Sequence, residues 1–182
     1  MRVSRIDHGL DNHLIVESDE PRAQGLHASD LYGALYRRLN PKRFRAEPPN
    51  PLLLALGLAW ERYFQGVVEA AGLDITRPPS FMSPEGVWLS PDGLLFNGHS
   101  KIIELKLTHK APAETLDDSR FAHWLTQVKA YGHVLGINRV RFYVLFDSWN
   151  PQLRAYDLEF TADEMKDEWQ ALLNIGKAEG LL

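Results

Sequence analysis

Between Val87 and Thr108, three short runs rich in branched and aromatic residues, Val87–Ser90, Leu94–Phe96 and Lys101–Thr108, are separated by Pro91-Asp92-Gly93 and by Asn97-Gly98. Asn-Gly between two such runs is the strongest short signal for a β-hairpin, so the stretch predicts a three-stranded meander. Long segments of helical pattern stand on either side of it, which predicts an α/β protein whose central mixed sheet is flanked by helices on both faces. The same stretch places chemistry. Side chains alternate along a strand, so Glu104 and Lys106 share a face, and the hairpin brings Asp92 to within about one position of facing Glu104. Two carboxylates and an ammonium at one point suit a hard divalent cation and a phosphate. Glu-x-Lys is equally common as a solvated ion pair on an exposed strand, so the grouping alone leaves both readings open.

The rest of the chain supplies the helices. Ser29 is positioned to cap a helix over Asp30–Leu39, which Asn40-Pro41 stops. Asn50-Pro51 opens a second, Leu52 to Ala71, apolar almost all round and for that reason expected to be largely buried. Glu61 interrupts its apolar surface, and a carboxylate there needs a cation, a metal or the solvent edge. Ser119 opens a third helix over about Arg120 to Leu135, with Trp124, Gln127, Val128, Tyr131 and Leu135 in one stripe. A glutamine in that stripe either meets a polar partner or sits at a wet edge. Arg139 to Phe146 and Leu153–Asp157 read as two further strands joined by the turn Ser148-Trp149-Asn150-Pro151. Thr161-Ala162-Asp163-Glu164 is a capping box opening a last helix with Met165, Trp169, Leu172 and Leu173 inward. Residues 1–28 show no clear periodicity beyond one short strand.

At 182 residues and 45% hydrophobic, the chain has the size of one domain with a substantial core, and a single domain over 1–182 is the expectation. The longest uncharged apolar run, Leu52–Trp60, is too short to cross a bilayer, and Arg2, Arg5 and Asp7 break up any signal-peptide core. A cytoplasmic protein without membrane attachment is expected. The absence of cysteine excludes disulfides, thiolate zinc and iron–sulfur sites. Any metal must take oxygen or imidazole. The net charge of −4 does not favour nucleic acid, but its distribution does: Arg37, Arg38, Lys42, Arg43 and Arg45 lie within nine residues containing no acid. That run is either an ordinary solvated helix end or a phosphate-contacting segment.

Taken in order, Gly57-x-x-x-Glu61, Pro91-Asp92, Glu104-x-Lys106 and Gln127-x-x-x-Tyr131 resemble the motif series of the PD-(D/E)XK nuclease superfamily, in its RecB-like and phage-exonuclease-like branch. The match spans about residues 52–146. The resemblance implies a restriction-endonuclease-like core and a metal-dependent DNA exonuclease of recombination, repair or phage DNA processing. Glu61, Asp92 and Glu104, with the Leu105 carbonyl, would hold Mg²⁺ or Mn²⁺. Lys106 would position or help deprotonate the attacking water, and Gln127 and Tyr131 would orient the lysine or the DNA backbone. DNA would be the substrate, contacted by the basic run Arg37–Arg45, and a recombination or phage protein is an admissible partner. Strand polarity and oligomeric state stay open. The chain departs from the iron–sulfur members of the branch in lacking their cysteines.

Two other readings compete. A structure-specific endonuclease, or a non-catalytic DNA-binding or scaffold module, would keep the same fold. A histidine-based metallohydrolase is disfavoured because the seven histidines form no HxxxH or HExxH pattern, and no P-loop or Gly-x-Ser-x-Gly elbow is present.

Overall fold

A computed structural model describes residues 23–42, 51–96, 100–117 and 119–182 of the chain. The element order is β1 (Leu26–His27), α1 (Ala28–Leu39), α2 (Pro51–Ala70), β2 (Ile75–Thr76), β3 (Phe81–Met82), β4 (Val87–Leu89), β5 (Gly93–Leu95), β6 (Lys101–Thr108), α3 (Ala122–Leu135), β7 (Arg139–Phe146), β8 (Gln152–Glu159) and α4 (Ala162–Ala178). Five strands form the central mixed sheet in the order β2-β5-β6-β7-β8, and β1-β4-β3 form a small second sheet. In the central sheet β6 and β7 run parallel, joined by the α3 crossover, and every other pair is antiparallel.

The pleat sorts side chains between two unequal layers. Ile102, Val140, Phe142, Val144 and Phe146 face α1, α3 and α4, and join Leu31, Trp124, Val128, Trp169 and Leu172 in the main core. On the opposite face Leu105, Leu107, Tyr143 and Leu145 meet Trp60, Phe64 and Val68 of α2. Helices therefore cover both faces of the central sheet, as the alternation of helical and strand patterns requires. Three of them share one face, where α3 and α4 approach closely at Gly132. A Cβ on that glycine would lie 2.6 Å from the Ile137 carbonyl oxygen and 2.6 Å from Met165 Sδ. Thr161 caps α4 as the sequence requires, its Oγ1 accepting from the Glu164 N–H while the Glu164 carboxylate accepts from the Thr161 N–H at 2.8 Å.

Three expectations change. The meander splits, because β4 pairs with β3 and β1 instead of with β5. Pro91 has no N–H to give a ladder, while Ser83 Oγ accepts from the N–H groups of Glu85 and Val87 and turns β3 back onto β4. The β5–β6 hairpin holds, with Leu95 paired to Lys101; its Asn97-Gly98 turn lies outside the described residues. Second, α2 is not largely buried: only Trp60, Phe64 and Val68, four residues apart, go under, while Leu52, Leu53, Leu54, Leu56 and Tyr63 are exposed. A single contact face against a single sheet can hide one stripe of a helix however apolar the others are. Third, the helix starts shift. α1 begins at Ala28, with the His27 N–H donating to Asp30 Oδ2 at 2.9 Å, so Ser29 is not its cap. α3 begins after Phe121, whose carbonyl takes the N–H of Trp124 and whose ring is buried, so Ser119 precedes the helix without capping it.

Candidate active site

The register of β5 on β6 pairs Gly93 with Ile103, so Asp92 arrives one step on, level with Glu104. Asp92 is tied there, its Oδ2 accepting from the Leu105 N–H at 2.7 Å. Glu104 and Lys106, two apart on β6, project from the face that α3 covers. Glu104 is fully buried, and its Oε1 accepts from Lys106 Nζ at 2.5 Å. Lys106 donates a second hydrogen bond to Gln127 Oε1 at 3.1 Å. The Gln127 amide donates to the Tyr131 hydroxyl at 2.8 Å, and that hydroxyl donates to the Ser90 carbonyl at 3.3 Å. The line of bonds thus starts beside Asp92 on one strand and returns to the Ser90 backbone two residues before it. Gln127 has a polar partner after all, one turn from Tyr131 on the same helix.

Five of the residues singled out in the sequence therefore come together: Asp92, Glu104, Lys106, Gln127 and Tyr131. Glu61 is set apart. It belongs to α2, on the other side of the sheet, and pairs with Arg77 at 3.5 Å. It meets Asp92 and Leu105 in a small cavity of about 20 Å³, room for roughly one water-sized species. Among the described residues no three carboxylates or imidazoles lie close enough to grip an ion as they stand. Arg37 and Arg38 are exposed in the last turn of α1 and Lys42 is exposed just beyond it. Arg43 and Arg45 lie outside the described residues. His109 pairs with Asp147 at 3.3 Å on the surface, away from this group.

The electrostatics follow from burial. Glu104 is pushed up to about 8, first by loss of water and then by the charge on Asp92, with Lys106 acting against both. Asp92 is also raised by burial, against the pull of Lys106 and of the Leu105 N–H. Burial raises Glu61 too, the Asp92 charge adding to it and Arg77 relieving it. Burial alone would lower Lys106, but Glu104 and Asp92 outweigh it and hold the ammonium above the ordinary lysine range. Burial likewise raises Tyr131, which stays a neutral phenol. Glu104 Oε2 is buried with no hydrogen-bond partner. An orphaned carboxylate oxygen beside a second, half-buried carboxylate is a donor set that fits a hard divalent cation, which would supply the missing charge and the missing partner.

A pH dependence follows. The folded chain keeps the Glu104 proton up to about 8, whereas the unfolded chain releases it near 4.5. Between those values the native state binds more protons than the unfolded one, so stability falls as pH rises through that window. Melts in EDTA at pH 5.5 and pH 8 should show the loss, and Glu104→Gln should flatten it. A slope unchanged by that substitution would place the titration elsewhere.

The sequence did not point to three contributors. Arg77 is the partner of Glu61, the Ser90 carbonyl receives the Tyr131 hydroxyl, and Tyr32 of α1 lies close enough for its phenol to act electrostatically on Lys106 and Tyr131. A lone arginine before two prolines and a backbone carbonyl carry no pattern to be read.

No family model matches the chain, and no curated protein matches it in sequence. Its structure is similar to that of the alkaline exonuclease LHK-Exo from Laribacter hongkongensis. In the complex with dAMP the TM-score is 0.55 at 19% identity, covering 85% of this chain and 89% of that one. A second structure of the same exonuclease gives 0.52 at 18%, with the same coverage. A phage-related exonuclease from Haemophilus somnus 129PT gives 0.50 at 12%, covering 91% of this chain and 89% of that one. At such identities the likeness is one of fold.

Proposed function

We propose that this protein is a Mg²⁺- or Mn²⁺-dependent deoxyribonuclease that hydrolyses phosphodiester bonds and works from DNA ends. The observation that carries the reading is the pair of buried Glu104 and half-buried Lys106, tied through Gln127 and Tyr131 to the backbone beside Asp92, in a fold shared with exonucleases. Lys106 has three N–H groups and uses two on Glu104 and Gln127. The third is available to a water or a phosphate oxygen. Held protonated, the lysine is a donor, so its task is to position the attacking water and to stabilise charge that develops on the phosphate. Gln127 fixes the ammonium by accepting from it, and its own amide is fixed in turn by the Tyr131 hydroxyl. Asp92 and Glu104, with Glu61 and the Leu105 carbonyl, would hold the cation. Once bound, the ion polarises the scissile phosphate and makes water nucleophilic near neutral pH. Water adds to phosphorus, the bond to the leaving sugar oxygen breaks, and the residues named keep the two in line.

With Mg²⁺ or Mn²⁺, linear duplex should be degraded while closed circles persist, and EDTA should stop cleavage. Closed circles cut as fast as linear DNA would end the preference for ends. Cleavage indifferent to EDTA would end the metal dependence.

The exposed cations Arg37, Arg38 and Lys42 are assigned to the DNA backbone, together with Arg43 and Arg45. Removing one phosphate-binding cation should weaken binding for every sequence and reduce the slope of log affinity on log salt by about one. Binding titrations of Arg37→Ala/Arg38→Ala over a range of salt check this, and an unchanged slope would return the run to ordinary surface.

A further inference from the structure

Arg77 has no task in the chemistry above, yet its position is closely defined. Thr76, the last residue of β2, pairs with Leu94 in an antiparallel register, so Arg77 follows alongside Gly93, one position from Asp92. Pro78 comes next and confines the Arg77 backbone to extended conformations. From that fixed root its Nη1 lies 3.5 Å from Glu61 Oε2, with the arginine side chain 53% exposed and the glutamate 27%. Both residues line the small cavity that also holds Asp92 and Leu105. A guanidinium offers five donors in a rigid fork that matches phosphate. Here it leans on one carboxylate oxygen at long range, half in water.

Resting on the metal-dependent nuclease reading, we propose that Arg77 is a positioning residue that holds Glu61 while the site carries no cation, and binds a DNA phosphate once a divalent ion has taken the Glu61 carboxylate. An ion brings two charges to that carboxylate at bonding distance, where Arg77 brings one at 3.5 Å, so the ion displaces it. The displaced guanidinium is then repelled by the ion and attracted to the phosphate that arrives with the substrate. In both states Glu61 has a cation, and in the loaded state the arginine marks where the phosphodiester lies.

The test compares wild type with Arg77→Gln in two measurements. In thermal melts without DNA, the Mn²⁺ concentration giving half the stabilising shift should fall several-fold in the variant, because a competitor for Glu61 has been removed. In DNA titrations with Mn²⁺ on a Lys106→Ala background, Arg77→Gln should lower the log–log salt slope by about one, and Arg77→Lys should restore it. Steady-state cleavage by Arg77→Gln should show the loss in KM more than in kcat. A variant that only melts lower in EDTA, with the Mn²⁺ midpoint and salt slope unchanged, makes the pair structural and overturns the proposal while leaving the nuclease reading intact. If wild type shows neither a Mn²⁺ shift nor cleavage, that reading falls and the proposal with it.

Discussion

Lys106→Ala should still bind DNA and Mn²⁺ but turn over about 10²–10⁴-fold more slowly, the range expected when one positioned proton-handling group is removed. The lysine is held by Glu104 at 2.5 Å and Gln127 at 3.1 Å, so its remaining N–H points from a fixed ammonium. On the proposed mechanism its loss removes an interaction with the reacting atoms and leaves in place the phosphate contacts proposed for Arg37 and Arg38 of α1. The effect should therefore fall on kcat. The same substitution strands a fully buried carboxylate. Breaking such a pair costs about 3–5 kcal/mol when the partner stays charged. At pH 5.5 in EDTA Glu104 carries its proton and the penalty should shrink; because Lys106 is what holds Glu104 down to about 8, the variant should feel the full penalty only as the pH rises above that value. Added Mn²⁺ should recover much of the deficit, since an ion replaces the missing positive charge. Single-turnover rates and melts on one preparation check both halves, and near-normal turnover would remove the lysine from the chemistry.

Much of this site was legible in the sequence because it depends on periodicities of two and four. The strand period puts Glu104 and Lys106 on one face, the hairpin register brings Asp92 level with them, and the helix period stacks Gln127 under Tyr131. What could not be read depends on the sheet's third dimension. An apolar surface all round α2 predicted burial, but only the stripe Trp60, Phe64 and Val68 found a partner. The run Val87–Leu89 has the composition of a meander strand and nothing in it shows that β3 and β1 would claim it. Glu61 was assigned to the site by its motif, and the helix it sits on lies across the sheet from Glu104. Its link to the other acids runs through Asp92 and a cavity shared with Arg77. Pairings of that kind are fixed by packing distance between elements far apart in the chain.

Asp92 is the residue on which the two groups of acids meet, and Asp92→Asn should abolish metal-dependent cleavage while leaving the fold undamaged. The asparagine keeps a carbonyl oxygen where Asp92 Oδ2 now accepts from the Leu105 N–H at 2.7 Å, so its tie to β6 survives. Burial raises the Asp92 pKa, which means that its charge is a cost to the folded state at neutral pH. Its charge also raises Glu104 and Glu61. Neutralising it should relieve all three acids when no metal is present. With metal, a ligand and a charge are missing, and the linkage term RT ln(1 + [M]/Kd), about 2.7 kcal/mol at a hundred times Kd, should be lost. For a chain of this length that term corresponds to a shift of several degrees in Tm. The direct measurement is a set of four melts at neutral pH, wild type and Asp92→Asn, each in EDTA and in Mn²⁺. A metal site built on these carboxylates predicts that wild type gains several degrees with Mn²⁺ and that the variant melts at or above wild type in EDTA and gains nothing; a variant that melts lower in EDTA, beside a wild type that Mn²⁺ does not move, would make the acids mere partners of Lys106 and contradict the metal site.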